Sequence, residues 1–150
     1  MGITIGLLNV RRSILIEAPP ERVWQEFESF DRVAEWFGRG HELHRFEAKL
    51  GGQVEMSVVI DDERRHYGGA VVAFDREREV SFESNWQGPH AWAVPAYFTL
   101  RLTPVYSDTM VEIFHHGFER FGTEAADILQ GYEEGWDVKH LKALRAIVEQ

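Results

Sequence analysis

The side chains best suited to chemistry in this chain are its seven histidines. Imidazole can ligate a metal ion or move a proton near neutral pH, and spacing decides which. His41 and His44 would share a face only on a helix, whereas the residues that follow them alternate like a strand. His115 and His116 are adjacent on a strand pattern, so their side chains point to opposite faces. Neither pair can hold one ion without distortion, and with no cysteine there is no thiolate zinc site. No metal ligand is expected.

Acid–base catalysis needs a titratable group buried among apolar ones. Glu55, Glu83 and Glu112 all fall on polar faces by parity. There is no Ser–His–Asp spacing, no cysteine nucleophile and no phosphate-cradling glycine loop. Only His115 and His140 sit on apolar faces, so no catalytic residue is assigned and no cofactor is expected. His115 shares parity with Val111 and Ile113 and faces inward. Two readings fit it: a hydrogen-bonded core histidine, or a polar contact at one end of a cavity that orients a ligand carbonyl or hydroxyl.

The elements that position these groups are mostly strands. Val10, Arg12, Ile14 and Ile16 alternate with Arg11, Ser13, Leu15 and Glu17 in a first strand, and the arginines suit a sheet edge. Pro19–Pro20 stops it and opens a short helix whose apolar face is Val23, Trp24 and Phe27. A second short helix runs from Asp31, its N-cap, through Trp36–Phe37 to Gly38, its C-cap. A strand over 43–50 leads into Gly51–Gly52, a two-glycine hairpin signal. Val54, Met56, Val58 and Ile60 then form one dry face, and Asp61–Asp62–Glu63 turns the chain. The strand over 64–74 carries Gly68–Gly69, which predicts a bulge. Val80, Phe82, Ser84 and Trp86 share the next face. Phe98, Leu100 and Leu102 follow in a strand ended by Pro104, and Val111, Ile113 and His115 line the last.

A long helical stretch closes the chain over about 123–148, roughly 39 Å at 1.5 Å per residue. Leu129, Tyr132, Trp136, His140, Leu144 and Val148 fall near one stripe, joined by Leu141. Gly131 and Gly135 stand one turn apart, and mid-helix glycine costs about 1 kcal/mol relative to alanine. They imply close approach to a neighbour or a bend. Seven strands joined by tight turns pair antiparallel, and only the last helix is long enough to cover the sheet. A sheet curled around a helix leaves a space between them. Its expected ligand contacts are Trp86, Trp92, Phe98, Leu100, Ile113, His115, Tyr132 and Trp136, and core packing is an equally good reading of Trp86, Tyr132 and Trp136. His90–Ala91–Trp92 follows Gly88–Pro89 in a loop, either near the pocket mouth or packed by its own tryptophan.

Composition narrows the partners. The 150 residues read as one domain, with 44% hydrophobic and 13% aromatic residues. Formal net charge is −9, with the cations dispersed, which argues against nucleic acid and anionic membrane. No run approaches the ~20 apolar residues of a membrane span, and the N-terminus is a poor signal peptide. A cytoplasmic address is the expectation, and no apolar seam sets an oligomeric state.

The order strand, two helices, six strands, long helix resembles the helix-grip fold of the START and Bet v 1-like (SRPBCC) superfamily. More specifically, Glu17-Ala-Pro-Pro-Glu-Arg-Val-Trp24, Trp36, Gly51–Gly52, Gly69, Gly117–Phe118 and Gly135–Trp136 followed by Leu141 and Leu144 resemble the subfamily named after the activator of the ninety-kilodalton heat-shock protein ATPase. The resemblance covers about 10–148. It implies an α+β fold: a seven-stranded antiparallel sheet wrapped around a long C-terminal helix, with two short helices after the first strand. For function it implies binding of a small hydrophobic ligand, of lipid or polyaromatic type, in a carrier or sensor role. A chaperone-activating interaction module is the alternative, with a heat-shock chaperone as partner. Polyketide cyclase-like catalysis is the third.

Overall fold

The computed structural model describes residues 9–28, 33–37, 40–135 and 138–149. Asp31, Gly38, Trp136 and the side chain of Leu129 therefore lie outside the described residues. Strands β1 (Asn9–Ile16), β2 (Glu42–Phe46), β3 (Gln53–Ile60), β4 (Glu63–Asp75), β5 (Glu79–Trp86), β6 (Ala96–Val105) and β7 (Asp108–His116) form one antiparallel sheet in the order β1-β7-β6-β5-β4-β3-β2. Helices α1 (Pro20–Glu28) and α2 (Val33–Phe37) follow β1, and α3 (Ala125–Gly135) and α4 (Val138–Val148) close the chain. This is the helix-grip arrangement.

Period-two patterning places the core. Val54, Met56 and Val58 of β3, Val80 and Phe82 of β5, Phe98, Leu100 and Leu102 of β6, and Val111 and Ile113 of β7 are all buried on one face. β1 is an edge strand, and on its outer side Arg11 pairs with Glu112 and lies over the Phe114 ring, 4.7 Å from its centroid. Val23, Trp24 and Phe27 of α1 are buried as the helical spacing requires. Leu141, Leu144 and Val148 of α4 complete the core.

Four local expectations are corrected. β2 ends at Phe46, because Gly51 and Gly52 continue the β3 ladder onto β4: Gly51 N–H donates to Val71 O at 2.9 Å and Val71 N–H to Gly52 O at 2.8 Å. The β4 irregularity falls between Val71 and Ala73, not at Gly68–Gly69. Glycine stands at those two positions for close strand approach: a Cβ on Gly68 (φ +141°) would lie 2.1 Å from Val54 O, and one on Gly69 2.7 Å from Glu83 O. β6 runs one residue past Pro104, which sits beyond the end of the β5 pairing and needs no N–H there. The residues before α3 form 3-10 turns within Phe118–Glu124, broken by a kink at Gly122 (φ +65°, ψ −128°), and a Cβ on Gly131 would meet nothing within 4 Å, so among the described residues no neighbour closes on α3 there.

Candidate functional site

One end of the sheet is closed solidly and the other is not. Thr109 Oγ1 donates to Ala18 O at 2.7 Å where β7 begins, and α1 packs across β6 and β7 there. Toward the opposite end, the inward face of β4–β7 meets α2, α3 and α4 around a cavity of about 150 Å³. Its wall is formed by Phe37 of α2, His41, Tyr67 of β4, Phe82, Ser84, Asn85 and Trp86 of β5, Trp92, Phe98 of β6, His115 of β7, Tyr132 of α3 and His140 of α4. A water site needs roughly 10–15 Å³ on this scale, and a dry engineered cavity of about 150 Å³ binds benzene. The space suits one or two aromatic rings.

Rings hold one another in place around it. Tyr132 lies 4.3 Å from His115, 5.3 Å from Phe118 and 6.1 Å from Trp92, centroid to centroid. Trp86 stands against Tyr67 at 5.3 Å, and Phe98 against Phe37 at 5.6 Å and Phe82 at 5.3 Å. Tilted and edge-on pairs at such spacings are favourable beyond their burial.

Burial keeps two histidines of the wall, His41 and His115, neutral at neutral pH. His41 Nδ1 lies 2.8 Å from the Tyr67 hydroxyl. Burial, then the neighbouring His140, lowers the His41 pKa to about 4. Burial, then His116 on the other face of β7, lowers that of His115 to about 3. Burial pushes the Tyr67 phenol up, with Tyr132 adding to it. Burial also pushes Tyr132 up, and a hydrogen bond donated by the Trp86 indole pulls it partly back. No Asp, Glu, Lys or Arg lines the chamber among the described residues. Nor do three His, Asp or Glu side chains among them stand close enough to hold a metal ion.

Of the contacts expected from sequence, Trp86, Trp92, Phe98, His115 and Tyr132 meet on this wall. Leu100 and Ile113 do not. They face the right way but lie two residues further along β6 and β7, opposite each other in the packed core at 2% and 3% exposure. Trp136 lies outside the described residues. Phe37 and His41 were missed because a five-residue helix and the loop after it have no readable period. Tyr67 and Ser84 share the inward parity of Val71 and Phe82, so alternation alone points to both. His140 was visible on the stripe of the last helix.

A curved seven-stranded sheet gripping C-terminal helical segments over an aromatic chamber defines the helix-grip class. The family described as "Activator of Hsp90 ATPase homolog 1-like protein" matches residues 17–149, and the chain belongs to that family. No curated protein sequence matches significantly. Among solved structures, a crystal structure of a protein from Chromobacterium violaceum is 19% identical with a TM-score of 0.70, covering 95% of this chain and 98% of that one. A solution structure of a protein from Arthrobacter aurescens is 17% identical with a TM-score of 0.74, covering 97% and 91%. The solution structure of the Aha1 dimer from Colwellia psychrerythraea is 19% identical with a TM-score of 0.64, covering 92% and 94%. At these identities the likeness shows the fold. No described helix is long and apolar enough to cross a membrane.

Proposed function

We propose that this protein binds a small, uncharged aromatic molecule in the chamber between sheet and C-terminal helices, as a carrier or sensor. The observation that supports this most is the chamber itself: about 150 Å³, walled by aromatic rings and a few hydrogen-bonding groups. Small-molecule sites have this make-up, apolar with a few convergent polar groups. The volume lies below the roughly 300–1,000 Å³ of drug-sized pockets. It therefore favours one or two rings over the long acyl chain or polycyclic guest expected from the superfamily. Trp86, Trp92, Phe98, His115 and Tyr132 are the proposed contacts, joined by Phe37, His41, Tyr67, Phe82 and Ser84. Titration of ¹⁵N-labelled protein with toluene, p-cresol and acetophenone tests the reading. Saturable shifts confined to chamber residues support it; shifts scattered over the surface, or none, end it.

Family membership supports a second reading, an interaction module acting on a heat-shock chaperone. Its test is the chaperone's ATP turnover, which rises on adding this protein if the reading holds and stays flat at saturation if it fails. Cyclase-like catalysis on a polyaromatic substrate draws the least support. A histidine whose conjugate acid has a pKa of about 3 is a weak proton acceptor at neutral pH, and the chamber is small for a polycyclic substrate.

A further inference from the structure

Ser84 is out of place by composition. It stands between Phe82 and Trp86 on the inward row of β5, with Val80 further along, in a position that alternation reserves for an apolar side chain. It is 6% exposed and lines the chamber. A hydroxyl in such a row costs stability relative to alanine unless it meets a partner. Among the described residues no group hydrogen-bonds to this one.

Asn85, His41, Tyr67, Trp86 and Tyr132 of the wall are engaged within the protein. Asn85 uses both ends of its amide on the Trp92 backbone. His41 meets Tyr67, and Trp86 donates to Tyr132. Nothing bulky shields Ser84 from its flanks either. Its partner across the ladder on β6 is Ala96, and on the β4 side the pairing passes from Gly68↔Asn85 to Val71↔Phe82 with only Gly69 and Ala70 between. Small residues beside it leave the hydroxyl facing open volume.

We propose that Ser84 is the residue by which the chamber selects its ligand: its hydroxyl hydrogen-bonds one polar substituent on an uncharged aromatic compound of the phenol or aryl-carbonyl type. This rests on the ligand-binding reading above and deepens it. A serine hydroxyl both donates and accepts, so it serves a phenolic O–H and a carbonyl oxygen alike. A carboxylate would find no Lys or Arg on the described wall to offset its desolvation. A hydrocarbon of the same outline fits the space but leaves the serine unmet, and sites that hydrogen-bond their ligand discriminate against such analogues.

The test is a cycle of two probes and two proteins. Toluene and p-cresol differ by one hydroxyl; each is titrated into the wild-type chain and into Ser84→Ala, with chamber amide shifts as the readout. The ratio of the toluene Kd to the p-cresol Kd is expected to fall roughly threefold to tenfold in Ser84→Ala, the effect of one net hydrogen bond. The melting temperature of Ser84→Ala is expected to be unchanged or higher, which excludes misfolding as the cause. If both probes bind at the chamber and the ratio is the same in the two proteins, Ser84 is not the selecting group, although the chamber remains a binding site. If neither probe shifts chamber residues of the wild-type protein, the binding reading fails and this proposal falls with it.

Discussion

Asn85 holds the backbone of Trp92 by both of its polar groups: the Asn85 Oδ1 accepts from Trp92 N–H at 2.9 Å, and Nδ2 donates to Trp92 O at 3.1 Å. The amide thus does for the loop what a neighbouring strand would do, and it seats the indole against Phe121 (4.9 Å) and Tyr132 over the chamber. Asn85→Ala removes both bonds. A net cost of about 1–3 kcal/mol follows at roughly 0.5–1.5 kcal/mol each. Amide exchange measured by NMR checks it, with Trp92 N–H expected to lose protection while the β5–β6 ladder keeps its own.

Acid weakens this protein through its buried histidines. In the unfolded chain His41 and His115 titrate near 6.5, but in the folded state only near about 4 and about 3. Between these values the unfolded chain takes up protons that the folded chain refuses. The stability these groups contribute is therefore whole above pH 6.5 and declines as pH falls, by up to ~1.4 kcal/mol per pH unit for each histidine. The His41 contribution levels off near pH 4 and that of His115 near pH 3. Denaturant midpoints at pH 7 and pH 5 measure the loss, and His115→Gln is expected to show a shallower pH slope than the wild type.

Two glycines separate crowding from backbone strain. Gly51 has φ +79° with no atom near its missing Cβ, so Gly51→Ala should cost only the left-handed penalty of about 1–2 kcal/mol. Gly68 has φ +141° and would press a Cβ onto Val54 O, so Gly68→Ala must also part β3 from β4. Its expected cost is roughly 3 kcal/mol or more, in the range reserved for backbone disruption. Urea unfolding of the two variants compares them directly.

Alternation made the faces of this sheet legible. His115 was placed inward from Val111 and Ile113 alone, and it lies there at 6% exposure. What a period of two cannot give is position along a strand. Leu100 and Phe98 share a face, yet one is core and the other chamber wall, because α1 covers only one end of β6. Glycine was legible as a necessity but ambiguous as to cause: Gly68–Gly69 reads equally as bulge or close contact until the neighbouring strand is known. The α2–β2 side of the chamber, with Phe37 and His41, carries no periodic signal at all.

Filling the chamber should trade binding for stability. Ser84→Leu replaces a hydroxyl by apolar carbon in open volume, where each buried methylene contributes about 0.8 kcal/mol. The variant is expected to melt higher than the wild type, by a few degrees at ~2–8 °C per kcal/mol, and to lose chamber shifts with p-cresol. A lower melting temperature would mean that the space is too small for the added carbons.

The most direct measurement is the set of intermolecular NOEs between unlabelled p-cresol and ¹³C,¹⁵N-labelled protein. Contacts from the cresol ring to Phe98, Trp86 and Tyr132, saturating at one molecule per chain, are the predicted result. Contacts only to exposed side chains such as Leu50 or Tyr106, growing without saturation, would contradict the chamber as a ligand site.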